Sequence, residues 1–349
     1  MEPLMKKLLL SLGLLVSVSA VAEQAQQATG KVSNALAPIG IVIHGGAGTI
    51  MRSSMTSEQE SAYHATLKHA VSQGYAVLER GGSSLDAVSA AVIILEDSPL
   101  FNAGKGAVYT WDETHELDAS IMDGSNRNAG AVASVTTVKN PILLARAVME
   151  KSVHVMLSGK GAEQFAQEQH LVQVQNSYFD TEFRLEALKK AKQSIEPVPH
   201  QAYVPYDPAW KMGTVGAVAI DKQGNLAAAT STGGMTAKRY GRIGDAPIIG
   251  AGNFADNASC AVSATGHGEY FIRYQVAADI CARVKYQNKN AAEAAHEVLT
   301  ELKQIGGDGG VIVVDYKGEL SWVFNTEGMY RAMQSQGKAP ISEIFGSGQ

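Results

Sequence analysis

Two blocks of strand and helix signal flank one stretch, residues 175–212, in which periodicity fails, and that division governs what the chain can fold into. In the first block "IGIVIHGGAG" (39–48) reads as a buried strand ending in a glycine loop. "SEQESAYHATLKHAVSQGYAVLERGG" places apolar residues at helical spacing behind an N-cap Ser57 and stops at Gly81. "SSLDAVSAAVIILEDSPL" predicts a second helix, halted before Pro99. "GAVYTWDE" and "ELDASIMDG" predict a hairpin, followed by the strand "GAVASVTTV". Asn140-Pro141 opens a further helix, and one more covers 161–169. The stretch 175–212 then holds four of the ten prolines, scattered charges and a short helical piece around 185–193, which is the pattern of a linker.

Strand signal returns sharply after it. "TVGAVAID" and "NLAAATSTGG" flank the turn "KQGN", and "IIGAGNFAD" and "CAVSATGHGE" give two further short strands. "YFIRYQVAADICARVKY" and "AAEAAHEVLTELKQI" are amphipathic helices, and "GVIVVDY" and "LSWVFNTEGMY" close the chain as strands. This order predicts an α+β sandwich with helices outside two sheets.

At 349 residues and 45% hydrophobic content the chain can bury a large core, and a net charge of -5 argues against a nucleic-acid surface. Lys6 and Lys7 precede an apolar run, Leu8 to Ala20, that is too short to span a bilayer, and Ala20-Val21-Ala22 gives a small-x-small cleavage pattern. A signal peptide over 1–22, a loose tail over 23–38 and a periplasmic or secreted protein without a membrane anchor are therefore expected. Only two cysteines are present, and neither has metal-ligand spacing around it. Two buried small hydrophobes are preferred to a Cys260–Cys281 disulfide.

Common hydrolase and cofactor motifs are absent: there is no G-x-S-x-G, no phosphate loop, no G-x-G-x-x-G and no H-E-x-x-H. "HGGAG" (44–48) resembles the oxyanion loop of some esterases, but without the serine elbow it reads as a tight turn after a strand. The Gly213-Thr214 junction is more telling. A threonine hydroxyl inside a chain has no base beside it. If the bond before Thr214 were cut, the new α-amine, of reference pKa about 7.7 to 8.0, would lie beside that hydroxyl as a general base. The same oxygen could make the cut, by attack on the Gly213 carbonyl, an N-to-O acyl shift and ester hydrolysis. Thr230 and Thr232 share one face of the partner strand, so pairing could bring one of them beside Thr214. Arg242 and Asp245, three apart in a glycine loop, are complementary to the carboxylate and ammonium of an amino-acid head. Thr265 and Gly266 offer a hydroxyl and an N–H for an oxyanion.

Taken together, "GTVGAVAIDKQGNLAAATSTGGMTAKRYGRIGDAPIIGAG", "SATGHGE", "FNTEGMYRA", "HGGAG", "LEDSPLFNAGKGAVYTWDETHELDASIMDG" and "NPILLARAVMEKSVHVML" resemble the plant-type asparaginase / isoaspartyl peptidase family of N-terminal-nucleophile hydrolases over about 39–333. The resemblance implies a four-layer αββα sandwich. It implies self-cleavage at Gly213-Thr214 into an alpha subunit (39–213) and a beta subunit (214–349), assembled as an (αβ)2 heterotetramer. Thr214 would be nucleophile and base, with Thr232 bonded to it and Asn102 reaching the site from the first half. Arg242, Gly244, Asp245 and Gly268 would bind the substrate head, and Thr265 and Gly266 the oxyanion. No catalytic cofactor is implied. A structural sodium would be held by backbone carbonyls of Leu95, Glu96, Ser98, Phe101, Ala103 and Lys105, an oxygen-only set that suits a hard cation. Substrates would be L-asparagine and β-aspartyl peptides. His267, in the variable slot of Thr-Gly-x-Gly, is expected to point outward. Two other readings stay open: a glycosylasparaginase, and an exported amino-acid-binding protein whose Gly213-Thr214 bond stays intact.

Overall fold

The structure, a computed structural model, describes residues 37–195 and 213–346. The signal segment, most of the tail and the end of the linker lie outside these residues. Two sheets face each other, with helices on both outer sides. The larger has eight strands in the order β12-β11-β1-β5-β6-β2-β3-β4, and the smaller has four in the order β10-β9-β8-β7. Here β1 is Gly40–Gly48, β2 Leu117–Asp123, β3 Ala129–Val135, β4 Met156–Ser158, β5 Val215–Ile220 and β6 Leu226–Thr232. In the second half β7 is Asn253–Ala255, β8 Cys260–Gly266, β9 Gly309–Asp315, β10 Leu320–Phe324, β11 Gly328–Ser335 and β12 Ile341–Phe345. All pairs are antiparallel except β3 with β4.

Alternation along each strand sorts side chains into three cores. Ile41, Ile43, Val215, Ala217 and Ala229 pack under helices α1 (Ser57–Glu79), α2 (Ser84–Glu96), α3 (Pro141–Lys151) and α4 (Gly159–Glu168). Val262, Val311 and Val313 pack under α6 (Gly268–Tyr274), α7 (Val276–Gln287) and α8 (Ala291–Gln304). Val42, Val218, Ala228, Met122, Ile312 and Val314 fill the space between the sheets. The layering is the expected αββα sandwich.

Several local expectations are corrected. The cap of α1 is Thr56 rather than Ser57, in a capping box with Gln59. "GAVYTWDE" does not pair with β2. Its backbone bonds go elsewhere, Val108 N to Asn102 Oδ1 (2.9 Å) and Trp111 N to Lys238 O (2.9 Å), and β2 pairs with β3 and β6 instead. The long helix read from "YFIRYQVAADICARVKY" breaks at Gln275, which sits at φ 49°. The linker is helical over Asn176–Phe179 and in α5 (Glu182–Ile195), whose Leu188 and Ala191 pack on Tyr109 and Ala237. Cys260 and Cys281 form a disulfide with Cα atoms 5.3 Å apart, stapling β8 to α7.

Candidate active site

The strand register builds the site. Val215 faces Ser231 and Asp118 faces Thr232, so Thr214, Thr232 and Asp118 stand side by side across three strands, on the face turned toward the smaller sheet. Thr214 Oγ1 donates to Thr232 Oγ1 at 3.2 Å, and Thr232 Oγ1 also accepts from Gly234 N at 3.0 Å. Thr230, the other candidate, points one step deeper, to Ser263 Oγ at 2.7 Å. Gly213 has φ 124°, and a Cβ there would stand 2.4 Å from Asn102 Cβ. Asn102 is thus pressed against the residue before Thr214. Its own amide is committed to structure, donating to Gly234 O (2.7 Å) and accepting from Val108 N (2.9 Å).

"HGGAG" is not a turn beyond a strand but the bulged end of β1 itself. A Cβ on Gly46, at φ 120°, would stand 2.6 Å from Gly213 Cα, so two glycines meet back to back at the junction. His44, fully buried, contacts Thr214 O through Nδ1 at 2.9 Å and Ser263 Oγ through Nε2 at 2.8 Å. Burial pushes its pKa down to about 3, against a smaller upward pull from the Thr214 carbonyl, so the ring is neutral. Sequence reasoning read this histidine only as the start of the "HGGAG" turn and gave it no role. The signal for it was its place at an apolar strand's end on the same face as Val42.

The residues expected to bind a substrate head gather beside this row. A Cβ on Gly268 would stand 2.9 Å from both Arg242 Nη2 and Asp245 Oδ1, and one on Gly244 2.8 Å from Arg242 Nη1. Both glycines therefore lie directly against the Arg242 and Asp245 side chains. Asp245 is 4% exposed and its Oδ2 has no hydrogen-bond partner. Burial pushes its pKa up to about 7, with Arg242 pulling back. Arg242 bonds Glu269 side-on, Nε to Oε1 and Nη2 to Oε2, both at 3.0 Å. Burial would raise the Glu269 carboxyl, but these bonds hold it below the usual range. Glu269 was not foreseen. His267 does not point outward: its Nε2 lies 3.6 Å from Glu269 Oε2 and its ring packs edge-on against Tyr270. Thr265 is fully buried and its Oγ1 accepts from Ala47 N at 3.3 Å, which ties the end of β1 to the end of β8. Gly266 follows it, with φ 152° and no room for a Cβ against Asp308 O at 2.4 Å.

The segment 95–105 runs on from the last turn of α2. Glu96 is buried, bonded through Oε1 to Ser231 Oγ (2.6 Å) and Ile142 N (3.1 Å), and burial pushes its pKa up to about 7. A Cβ on Gly104 would stand 2.2 Å from Glu96 O, and one on Gly106 2.1 Å from Phe101 O. Chain and carbonyl oxygens thus crowd one small space. Among the described residues no cluster of His, Cys, Asp or Glu has the grouping of a transition-metal site.

Chemically, the arrangement sets a hydrogen-bonded pair of alcohols, Thr214 and Thr232, near a buried carboxyl and a guanidinium. Comparison with known proteins points the same way. The profile of a protein family described as Asparaginase matches residues 37–343. The chain is 52% identical to the "Isoaspartyl peptidase" of Escherichia coli (strain K12), covering 87% of this chain and 95% of that one. It is 52% identical to the "Isoaspartyl peptidase" of Salmonella typhimurium, covering 87% and 98%. With the "Isoaspartyl peptidase/L-asparaginase" of Xenopus laevis it shares 45% identity over 83% of this chain and 90% of that one.

Proposed function

Because the chain belongs to this asparaginase family, we propose that it hydrolyses the β-amide of β-aspartyl dipeptides and of L-asparagine, releasing L-aspartate. The observation that carries the reading is the 3.2 Å bond from Thr214 Oγ1 to Thr232 Oγ1, one residue past a glycine held at positive φ. In the precursor, Thr214 Oγ attacks the Gly213 carbonyl carbon. The acyl group moves from nitrogen to oxygen, and water cleaves the ester, leaving a Gly213 carboxylate and a Thr214 α-amine. In turnover that amine takes the hydroxyl proton as Oγ attacks the substrate β-carbonyl. The Thr265 hydroxyl and Gly266 N–H hold the oxyanion, the leaving amine departs with the proton, and water hydrolyses the β-aspartyl ester on Thr214. Arg242 grips the α-carboxylate and Asp245 the α-ammonium. Asparagine and isoaspartyl peptides share that head and differ only in the leaving amine.

The same reading includes an (αβ)2 assembly and a structural sodium. The segment 95–105 fits such an ion, since Gly104 and Gly106 admit carbonyl oxygens that any side chain would displace. Export by the N-terminal segment is supported by the Cys260–Cys281 disulfide, which needs an oxidising compartment.

Intact-mass spectrometry with N-terminal sequencing tests the centre of the proposal. Active protein should contain a chain beginning Thr-Val-Gly-Ala, and Thr214→Ala should stay in one piece without turnover. A cut and active Thr214→Ala protein would reject the assignment. Faster turnover of a glycosylasparagine than of β-aspartyl dipeptides would move the substrate class instead.

A further inference from the structure

We infer that His44 is a positioning residue for Thr214: its Nδ1–H donates to the Thr214 carbonyl as the last link of a one-way chain of buried hydrogen bonds from Asn253. The direction follows from the atoms. A carbonyl oxygen only accepts, so at 2.9 Å Nδ1 carries the hydrogen. In a neutral ring Nε2 is then the acceptor, and the Ser263 hydroxyl donates to it at 2.8 Å. Having given its one hydrogen, Ser263 Oγ receives that of Thr230 at 2.7 Å, a closer partner for Thr230 than Gly252 O at 3.1 Å. Thr230 Oγ1 accepts from Asn253 Nδ2 at 3.2 Å. His44, Ser263, Thr230 and Asn253 are all 0% exposed. A pKa pushed down to about 3 by burial keeps the ring neutral and the direction fixed.

The fold makes room for this chain at some cost to packing. A Cβ on Gly216, the second residue of β5, would stand 2.0 Å from Ser263 Oγ and 2.5 Å from His44 Nε2. The central strand is thinned to glycine where the histidine–serine bond crosses it. The chain runs through four strands, β7, β6, β8 and β1, and ends on the backbone of one residue. Holding the Thr214 carbonyl fixes its peptide plane. That plane anchors the Cα that carries both Oγ and the released α-amine. His44 touches neither the substrate nor the reacting oxygen, and acts through Thr214.

This inference rests on the reading of Thr214 as nucleophile, so the experiment separates the two. Wild-type protein is first checked for β-aspartyl dipeptide turnover and a chain beginning at Thr214. Their absence would sink that reading and this inference with it. Steady-state kinetics then compare His44→Ala, His44→Asn and Ser263→Ala, with thermal melts to verify folding. Losing the donor should lower kcat of His44→Ala about 100-fold with KM within about twofold. His44→Asn retains an N–H in the Nδ1 position, so it should recover about tenfold of that loss. Ser263→Ala, which leaves His44 in place without its proton donor, should lower kcat by about tenfold at constant KM. Should His44→Ala fail to fold, the Ser263→Ala and His44→Asn values decide. Unchanged kcat in the folded variants, or a loss carried by KM alone, would overturn the inference while leaving the hydrolase reading intact.

Discussion

At Asp245, enclosure and charge are in conflict. The carboxyl is buried, one oxygen lacks a hydrogen bond, and burial pushes its pKa up to about 7 although Arg242 favours the charged form. The folded protein therefore holds a proton that the unfolded chain releases from about pH 4 upward, so the side chain's contribution to stability declines between about pH 4 and 7 and is lowest above 7. Asp245→Asn should raise Tm at pH 8 by about 3 °C or more and change it little at pH 4, while abolishing turnover. Calorimetry of the two proteins at both pH values checks this; equal shifts would mean that the charge is not what costs stability. Glu96 is pushed up to about 7 as well, so the difference between variant and wild type, not the wild-type curve alone, carries the result. Glu269 is the opposite case. It is part exposed and bound on both oxygens by Arg242, which it steadies through the Nε–Nη2 edge. Glu269→Gln loosens that hold. KM for β-aspartyl dipeptides should rise about three- to tenfold with kcat little changed, and an unchanged KM would deny Glu269 any part in presenting Arg242. Arg242 and Asp245 were legible as a charge pair in a glycine loop. Glu269 was not, because a lone acid at a helix start reads as a favourable first-turn residue and nothing more.

At the level of elements, α7 and β8 are joined by the Cys260–Cys281 disulfide, closing 21 residues of chain. Closing a loop of that length is worth about 3 kcal/mol against the unfolded chain. Cys281→Ser should lower stability in urea by about that amount, and dithiothreitol should give the same shift in the wild type but none in the variant. Kinetics at 25 °C should barely change, since Thr265 and Gly266 leave the opposite end of β8 and are tied down by Ala47 N and by β9. Two cysteines in apolar surroundings look alike whether bonded or not, and only the meeting of strand and helix decides. The same gap explains the hairpin that did not form. "GAVYTWDE" and β2 each carry a strand pattern, yet the first spends its N–H and C=O groups on Asn102 and on residues 237–238, far off in sequence. By contrast β1, β5, β6, β8 and β9 were evident from their apolar runs, because strands buried on both faces need nothing beyond composition. The β5–β6 hairpin narrowed the partner of Thr214 to Thr230 or Thr232, and the choice of Thr232 came from the family resemblance; the register sets it, since Val215 faces Ser231.

At the scale of the molecule, the strand order says what a cut at Gly213-Thr214 would do. In β12-β11-β1-β5-β6-β2-β3-β4, strands from before the cut (β1, β2, β3, β4) interleave with strands from after it. β1 lies between β11 and β5, and β6 pairs with β2, so the two pieces share three ladders in the middle of one sheet. Neither piece can leave without breaking all three and opening the core under α1, α2 and α3. The cut protein should therefore behave as one body in native gel filtration, even in 1 M salt, and fall into two chains only in denaturant. Folding loses what holding loses not: once separated, the pieces must find each other by diffusion. Refolding of the mature protein should slow more steeply on dilution than that of uncut Thr214→Ala, in which only the pairing of two whole copies depends on concentration. Equal concentration dependence in the two would show that the joint at 213–214 contributes nothing to assembly. Separation of the mature chains in salt alone would show that the interleaved ladders do not hold them.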